Sequence, residues 1–179
     1  TVEKGAVLKI QSDVTLNSDI IAKGTVEVEN DATVSGTGNI VLEGGTASGN
    51  VDAYYKITKD AVSGGYVNLT YKVGNDTYKI QGDVIPVGST VVVKATPQSD
   101  YKVSSGTYII GDDATKFSIE NFSSSTAGVE VTGEFTPNNG PIKVAVTFAY
   151  VSSGGGDHGG GGGGGGGGGS SSSSSRVTV

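Results

Sequence analysis

Short apolar steps separated by small polar corners dominate the first 45 residues of the chain. The steps recur about every six residues, with Asp, Asn or Gly between them. This spacing is too tight for hairpins of ordinary strand length, but it fits a chain that coils through short strands and corners, as in a β-solenoid. A few ordinary sandwich strands are the alternative, and both interpretations stay open for residues 1–48. The steps are residues 7–10, 14–16, 20–21, 26–28, 34 and 40–42.

Beyond residue 50 the segments become longer and alternate between apolar and polar residues, at intervals of roughly ten residues. The stretch 44–50 holds only small or polar residues and is the predicted boundary between the two parts. Residues 66–73 and 77–80 flank Gly74, Asn75 and Asp76, which predicts a hairpin with a three-residue loop. No window has a helical period. We therefore predict an all-β fold, with an antiparallel immunoglobulin-like sandwich at 51–151.

The end of the chain has a composition that cannot fold alone. Asp157 and His158 are followed by eleven glycines and six serines, and the last four residues alternate as a short strand. Glycine loses the most backbone entropy on ordering, and neither glycine nor serine carries apolar surface to bury. We interpret 152–175 as a linker and 176–179 as a terminal strand. This strand is either delivered to another subunit or marks the start of a following domain.

Composition excludes several kinds of chemistry. The chain has no cysteine, a single histidine and a net charge of −6, so thiolate chemistry is absent and nucleic acid is an unfavourable partner. No apolar run is long enough to span a membrane. His158 lies in polyglycine without a fixed partner, which makes it a poor general base. We expect no catalytic residues, no metal site and no cofactor.

Residues 65–136 resemble the divergent internalin-type B repeat. The resemblance rests on the stretch 88–97, which reads Gly-Ser-Thr-Val-Val-Val-Lys-Ala-Thr-Pro, and on the segments 101–103, 117–119 and 129–135. Asp100 stands where the family usually has glycine, and the loops around 112–113 and 123–128 are longer. The resemblance implies a compact, secreted β module of multidomain bacterial surface proteins, with no catalytic residues to transfer.

Two further resemblances concern the ends of the chain. The stretches 24–28 and 32–36 are similar to repeats in right-handed β-helix segments of bacterial surface and adhesin proteins. The Gly/Ser-rich tail resembles spacers in Gram-positive surface proteins that precede wall-attachment repeats, although this chain holds no such repeat. Both resemblances imply a location outside the cell or on its surface.

These observations predict a non-catalytic structural subunit of an extracellular bacterial fibre or surface layer. The subunits would assemble as a homopolymer by β-strand complementation. The alternative is a fragment of a surface adhesin that binds a glycan or a host protein through its tyrosines, with the tail as a passive spacer. The residues predicted to take part in assembly are Thr1, Val2, Arg176, Val177, Thr178 and Val179.

Overall fold

The computed structural model describes residues 1–111 and 115–152, and all regular elements in these ranges are β-strands. This confirms the prediction of an all-β fold. No helix in the described ranges has the length and apolar character needed to cross a bilayer. The strands are β1 (Val7–Ile10), β2 (Val14–Leu16), β3 (Ile20–Ala22), β4 (Thr25–Val28), β5 (Val34–Gly36), β6 (Ile40–Leu42), β7 (Thr46–Gly49), β8 (Ala53–Lys59), β9 (Gly65–Val73), β10 (Asp76–Lys79), β11 (Val84–Pro86), β12 (Thr90–Pro97), β13 (Tyr101–Ile110), β14 (Lys116–Ser118), β15 (Val131–Phe135) and β16 (Ile142–Tyr150).

The first seven strands coil into a short parallel β-solenoid with three faces. The first face stacks β1, β4 and β7, the second stacks β2 and β5, and the third stacks β3, β6 and the start of β8. Partners on the second and third faces, such as Val14 and Val34, lie 20 residues apart. We call β1–β3 the first coil, β4–β6 the second coil, and β7 with the start of β8 the third coil. The solenoid interpretation of the opening pattern thus describes the observed pairing.

Small polar corners hold successive coils together. The Oδ1 atom of Asp13 accepts the N–H of Thr33, and the Oδ1 atom of Asp19 accepts the N–H of Asn39, both at 2.8 Å. Both contacts join positions 20 residues apart, so each aspartate of the first coil satisfies a corner amide of the second. Gly45 shows why some corners need glycine, because a Cβ there would lie 2.3 Å from the carbonyl oxygen of Gly24.

Strand β8 belongs to both parts of the molecule. Its first half, Ala53 to Tyr55, pairs in parallel with β6 of the solenoid, and its second half, Ile57 to Lys59, pairs in parallel with β16. Strand β11 pairs antiparallel with its middle. The third face of the solenoid therefore continues into the sheet β14–β13–β16–β8 without a break in hydrogen bonding.

The sheet that contains β8 packs against a second sheet, β10–β9–β12–β15, which is antiparallel throughout. Together they form the sandwich-like part of the molecule. The β8–β16 pair is parallel, which departs from the predicted all-antiparallel sandwich because β8 follows the direction imposed by the coil before it. Buried residues of this core include Val67, Val91, Val93, Val103, Ile119, Phe122, Phe135, Val144 and Val146.

Two local predictions differ from the structure. The hairpin between β9 and β10 has a loop of two residues, Gly74 and Asn75, rather than three, because Asp76 pairs with Val73. The stretch 44–50, predicted as a boundary, contains β7, which adds a third strand to the first face. Ladder pairing with β4 makes this segment regular although it has almost no apolar side chains. The division into separate domains near this stretch stays a prediction.

Candidate functional site

Among the residues that the structure describes, none forms a strand on the second face of the third coil. In the second coil, β5 lies between β4 and β6, whereas in the third coil only Asn50, Val51 and Asp52 connect β7 to β8. Within the described ranges, β5 therefore has a strand neighbour, β2, on one edge only. An edge of this kind presents unpaired backbone N–H and C=O groups that can accept another strand.

A cavity of about 350 Å³ lies along the free edge of β5, and we call it the β5 slot. The carbonyl of Thr33 accepts the N–H of Val14, and the N–H of Thr37 donates to Leu16, so both groups face β2. Neighbouring residues in a strand direct their backbone groups to opposite edges, so those of Val34 face the slot. The slot is lined by Thr33, Val34, Ser35, Gly36, Gly38, Asn39, Ile40, Asn50, Val51, Asp52 and Tyr54.

The side chains on the second face follow a simple pattern. Val14 and Val34 are partners in the ladder and pack against the solenoid core. Thr15 and Ser35 are both exposed, and their hydroxyl oxygens lie 3.3 Å apart. A strand in the β5 slot would therefore extend two rows of side chains. The row that faces the core holds Val14 and Val34, and the row that faces solvent holds the hydroxyl groups of Thr15 and Ser35.

The interior of the third coil is also incompletely covered. Ala47, Val51 and Ala53 are only half-buried although they pack against the core cluster. They border a groove of about 540 Å³ that is bounded on the sandwich side by the exposed residues Val73 and Val87. Exposed apolar surface beside an open strand edge is a feature of interaction sites.

A second groove, of about 480 Å³, lies between the solenoid and the β9–β10 hairpin, and we call it the tyrosine groove. Tyr71 and Tyr78 are cross-strand partners whose rings stack with centroids 5.4 Å apart. Tyr54 borders both this groove and the β5 slot, and burial, the nearby Asp52 carboxylate and Tyr71 raise the pKa of its phenol. Its hydroxyl is therefore protonated, and can donate a hydrogen bond, over the whole neutral range.

The predicted assembly residues are only partly within the described ranges. Thr1 is exposed, but Val2 is 8% exposed and occupies the edge of β3 in its own chain. Its N–H donates to Ile21, and its carbonyl accepts from Lys23. Arg176, Val177, Thr178, Val179 and the single histidine, His158, lie outside the described residues. The structure therefore gives Val2 a partner within its own chain, and its role in assembly stays a prediction.

The carboxylates Glu130 and Glu134 both have lysine partners on the outer face of the sandwich. Lys94 Nζ lies 2.8 Å from Glu130 Oε1, and Lys72 pairs with Glu134. Hydrogen bonds from Lys94 and Thr96 hold the pKa of Glu130 below its usual value. These exposed ion pairs lie on a solvent-facing side of the sheet. The two glutamates are four positions apart, and residues an even number of positions apart in a strand share a face. Among the described residues no group of three His, Cys, Asp or Glu side chains is placed to hold a metal ion.

Sequence reasoning did not find the β5 slot or the tyrosine groove. A signal for the slot exists in the spacing, because Ile20 and Ile40 are 20 residues apart whereas Ile40 and Ala53 are only 13 apart. A coil shortened in this way has no room for a strand on each face. The tyrosine groove has no comparable signal, since it joins residues of β8 and of the β9–β10 hairpin through the fold.

Comparisons with protein families, with curated proteins and with solved structures found no match to this chain. The resemblance to the divergent B repeat therefore stays a prediction.

Proposed function

We propose that this protein is a non-catalytic structural subunit that assembles with copies of itself by β-strand complementation, in an extracellular bacterial fibre or surface layer. The observation that carries the proposal is the open edge of β5, left by the strand that the third coil lacks. The extracellular location rests on the resemblance to bacterial surface modules. Parallel coils are a suitable acceptor, because an added strand extends a ladder that already exists.

The energetics require more than one short strand. Burying two valine side chains contributes about 3 to 5 kcal/mol, whereas ordering four residues costs roughly 4 to 8 kcal/mol. Three or so ladder hydrogen bonds add about 1.5 to 4.5 kcal/mol. These terms nearly cancel, so stable assembly needs further contact between the bodies. The half-covered groove at Ala47, Val51 and Ala53 offers apolar surface for it.

The test compares the intact chain with a chain that ends at Ser153, by sedimentation velocity and negative-stain electron microscopy. We expect regular filaments from the intact chain and monomers from the shortened one. A third sample, Val34→Pro, removes the N–H that faces the β5 slot and leaves the bonds of Thr33 and Thr37 to β2 in place. It should also stay monomeric. Monomers in every sample would reject assembly, and filaments from the shortened chain would reject the tail as the donor.

A second candidate function is supported by the tyrosine groove. Its size falls in the range of small-ligand sites, and its walls combine aromatic rings with amide side chains of Asn39 and Gln81. Tyr78 is 45% exposed, so one end of the stacked pair is open to a ligand. Sugar rings present apolar C–H faces and polar hydroxyl edges, which match aromatic walls with nearby amides. The groove thus suits a saccharide ligand, as in a surface adhesin.

The saccharide hypothesis is tested on a glycan array, followed by calorimetry with any glycan that binds. Tyr78→Ala should reduce the affinity about two- to tenfold, since one stacking interaction is worth about 0.5 to 1.5 kcal/mol. Tyr66→Ala is the matched control, because Tyr66 is an exposed tyrosine on β9 that does not line the groove. An array without binders, on a sample shown to be folded, would exclude this function.

A further inference from the structure

The strands of the second face share one pattern with the end of the chain. Strand β2 reads Val14-Thr15-Leu16, and β5 reads Val34-Ser35-Gly36. Each begins with an inward valine followed by an outward hydroxyl residue. Val177, Thr178 and Val179 repeat this order and, like β2, have an apolar third residue. The sequence of the tail thus matches the strand that the third coil lacks.

This match defines a register. A parallel strand in the β5 slot places Val177 beside Val34, Thr178 beside Ser35 and Val179 beside Gly36. Val177 then extends the column of Val14 and Val34, and the hydroxyl of Thr178 extends the ladder of Thr15 and Ser35. Gly36 is exposed, and the Cβ that it lacks would lie 2.2 Å from the carbonyl oxygen of Leu16, on the side of β2 rather than of the slot.

The position of the tail exit favours donation to another molecule. Ile142 at the start of β16 lies beside Ile57 of β8, and β16 runs on in the same direction as β8 to Tyr150. Along this direction Tyr150 is about 40 Å beyond Ala53, at the rise per residue of a strand. A flexible chain as long as residues 153–175 would have a coil dimension of about 26 Å and a stretched reach of about 75 Å. Return to the slot of the same chain would therefore stretch the tail to about one and a half times its coil dimension, whereas a neighbour beyond the end of β16 is within easier reach.

We infer that residues 177–179 of one copy occupy the β5 slot of the next copy as a parallel strand, in register with Val34–Gly36. This inference rests on the proposed function and adds its donor, acceptor and register. Residue 152, from which the tail continues, and the slot lie far apart along β8 and β16, so the contact is head to tail and builds a fibre unless the rotation between copies closes a ring.

The absence of cysteine makes the register testable by disulfide trapping. A chain with Ser35→Cys is mixed with a chain carrying Thr178→Cys and oxidised mildly, and the product is read on a non-reducing gel and by mass spectrometry. Adjacent strands are about 4.8 Å apart, within the Cα distance that a disulfide spans. We expect a linked pair of the two chains. The same two substitutions in one chain should give a series of higher polymers.

Two controls separate docking from random collision. The first control is Thr15→Cys, on β2. The strand β2 would lie two strand spacings, about 9.6 Å, from the docked strand that carries Thr178→Cys, and this distance is too long for a disulfide. Ser48→Cys is equally exposed but lies on β7 of the first face. Mixed with Thr178→Cys, each should yield at least about tenfold less linked product than Ser35→Cys, because only docking raises the local concentration of the two thiols.

The outcomes distinguish this inference from the function on which it rests. Filaments without a preference for the bond between positions 35 and 178 overturn the register and leave assembly standing. A preferred bond formed within single chains, in a sample that stays monomeric, overturns donation between copies and the fibre with it. A preferred bond between chains, in a sample that forms filaments, supports both.

Discussion

Replacing Phe122 by alanine should lower the free energy of unfolding by about 3 to 5 kcal/mol, the range for a buried phenylalanine that leaves a cavity. Phe122 is 3% exposed, and its ring fills the space between two glycines on opposite sheets. A Cβ on Gly106 of β13 would lie 2.3 Å from the ring, and one on Gly133 of β15 would lie 2.5 Å from it. Since neither glycine has a side chain that can move into the gap, the site cannot collapse easily. Urea unfolding followed by circular dichroism measures the loss.

Phe117→Ala is the matched control for this substitution. Phe117 lies on the edge strand β14, is 42% exposed and stacks on Tyr108 with centroids 5.3 Å apart. Losing one exposed aromatic pair should cost only about 0.5 to 1.5 kcal/mol. Equal losses for the two variants would mean that Phe122 does not hold the sheets together in the way its packing indicates.

The pattern of the sequence predicts the strands well where they repeat. Apolar steps about every six residues define the coils, and each step from 7 to 42 in the sequence lies in or at a strand of the solenoid. Strand β7 was not predicted, because its residues are small or polar and give almost no apolar pattern. It forms because β4 supplies a ladder, which is a tertiary effect that composition does not record.

The joint between solenoid and sandwich is less accessible to sequence reasoning. No strand was predicted at residues 53–59, and nothing in their order shows that one half pairs with β6 and the other with β16. The pairing with β16 joins residues more than 80 positions apart, for example Ile57 and Ile142. The β5 slot depends on the same joint, because β8 begins early and so removes the strand that the coil would otherwise contain. The sequence therefore predicted the proposed donor, the terminal strand 176–179, but not the acceptor, the β5 slot.

Replacing Tyr55 by alanine should weaken both parts of the molecule together, by about 3 kcal/mol, the cost of a large buried side chain. Tyr55 is 6% exposed, and its backbone lies between Leu42 of the solenoid and Ile85 of the sandwich. Its ring packs on Gly140 just before β16, where an added Cβ would lie 2.9 Å from the ring. Since the same side chain supports both sides of the joint, native-state hydrogen exchange should show equal loss of protection in peptides from β6 and from β16.

Tyr54→Ala provides the control, because this neighbouring tyrosine points to the other face of β8 and is only half-buried. It should cost less than about 1.5 kcal/mol, the smaller effect expected away from the core. If Tyr55→Ala lowered protection in β16 but not in β6, the two parts would be separate folding units that share only a strand. If protection fell equally in both, β8 would unite them, and damage to the sandwich would reach the second coil, which forms the acceptor slot. Assembly through the slot would then depend on the stability of the whole subunit rather than of the solenoid alone.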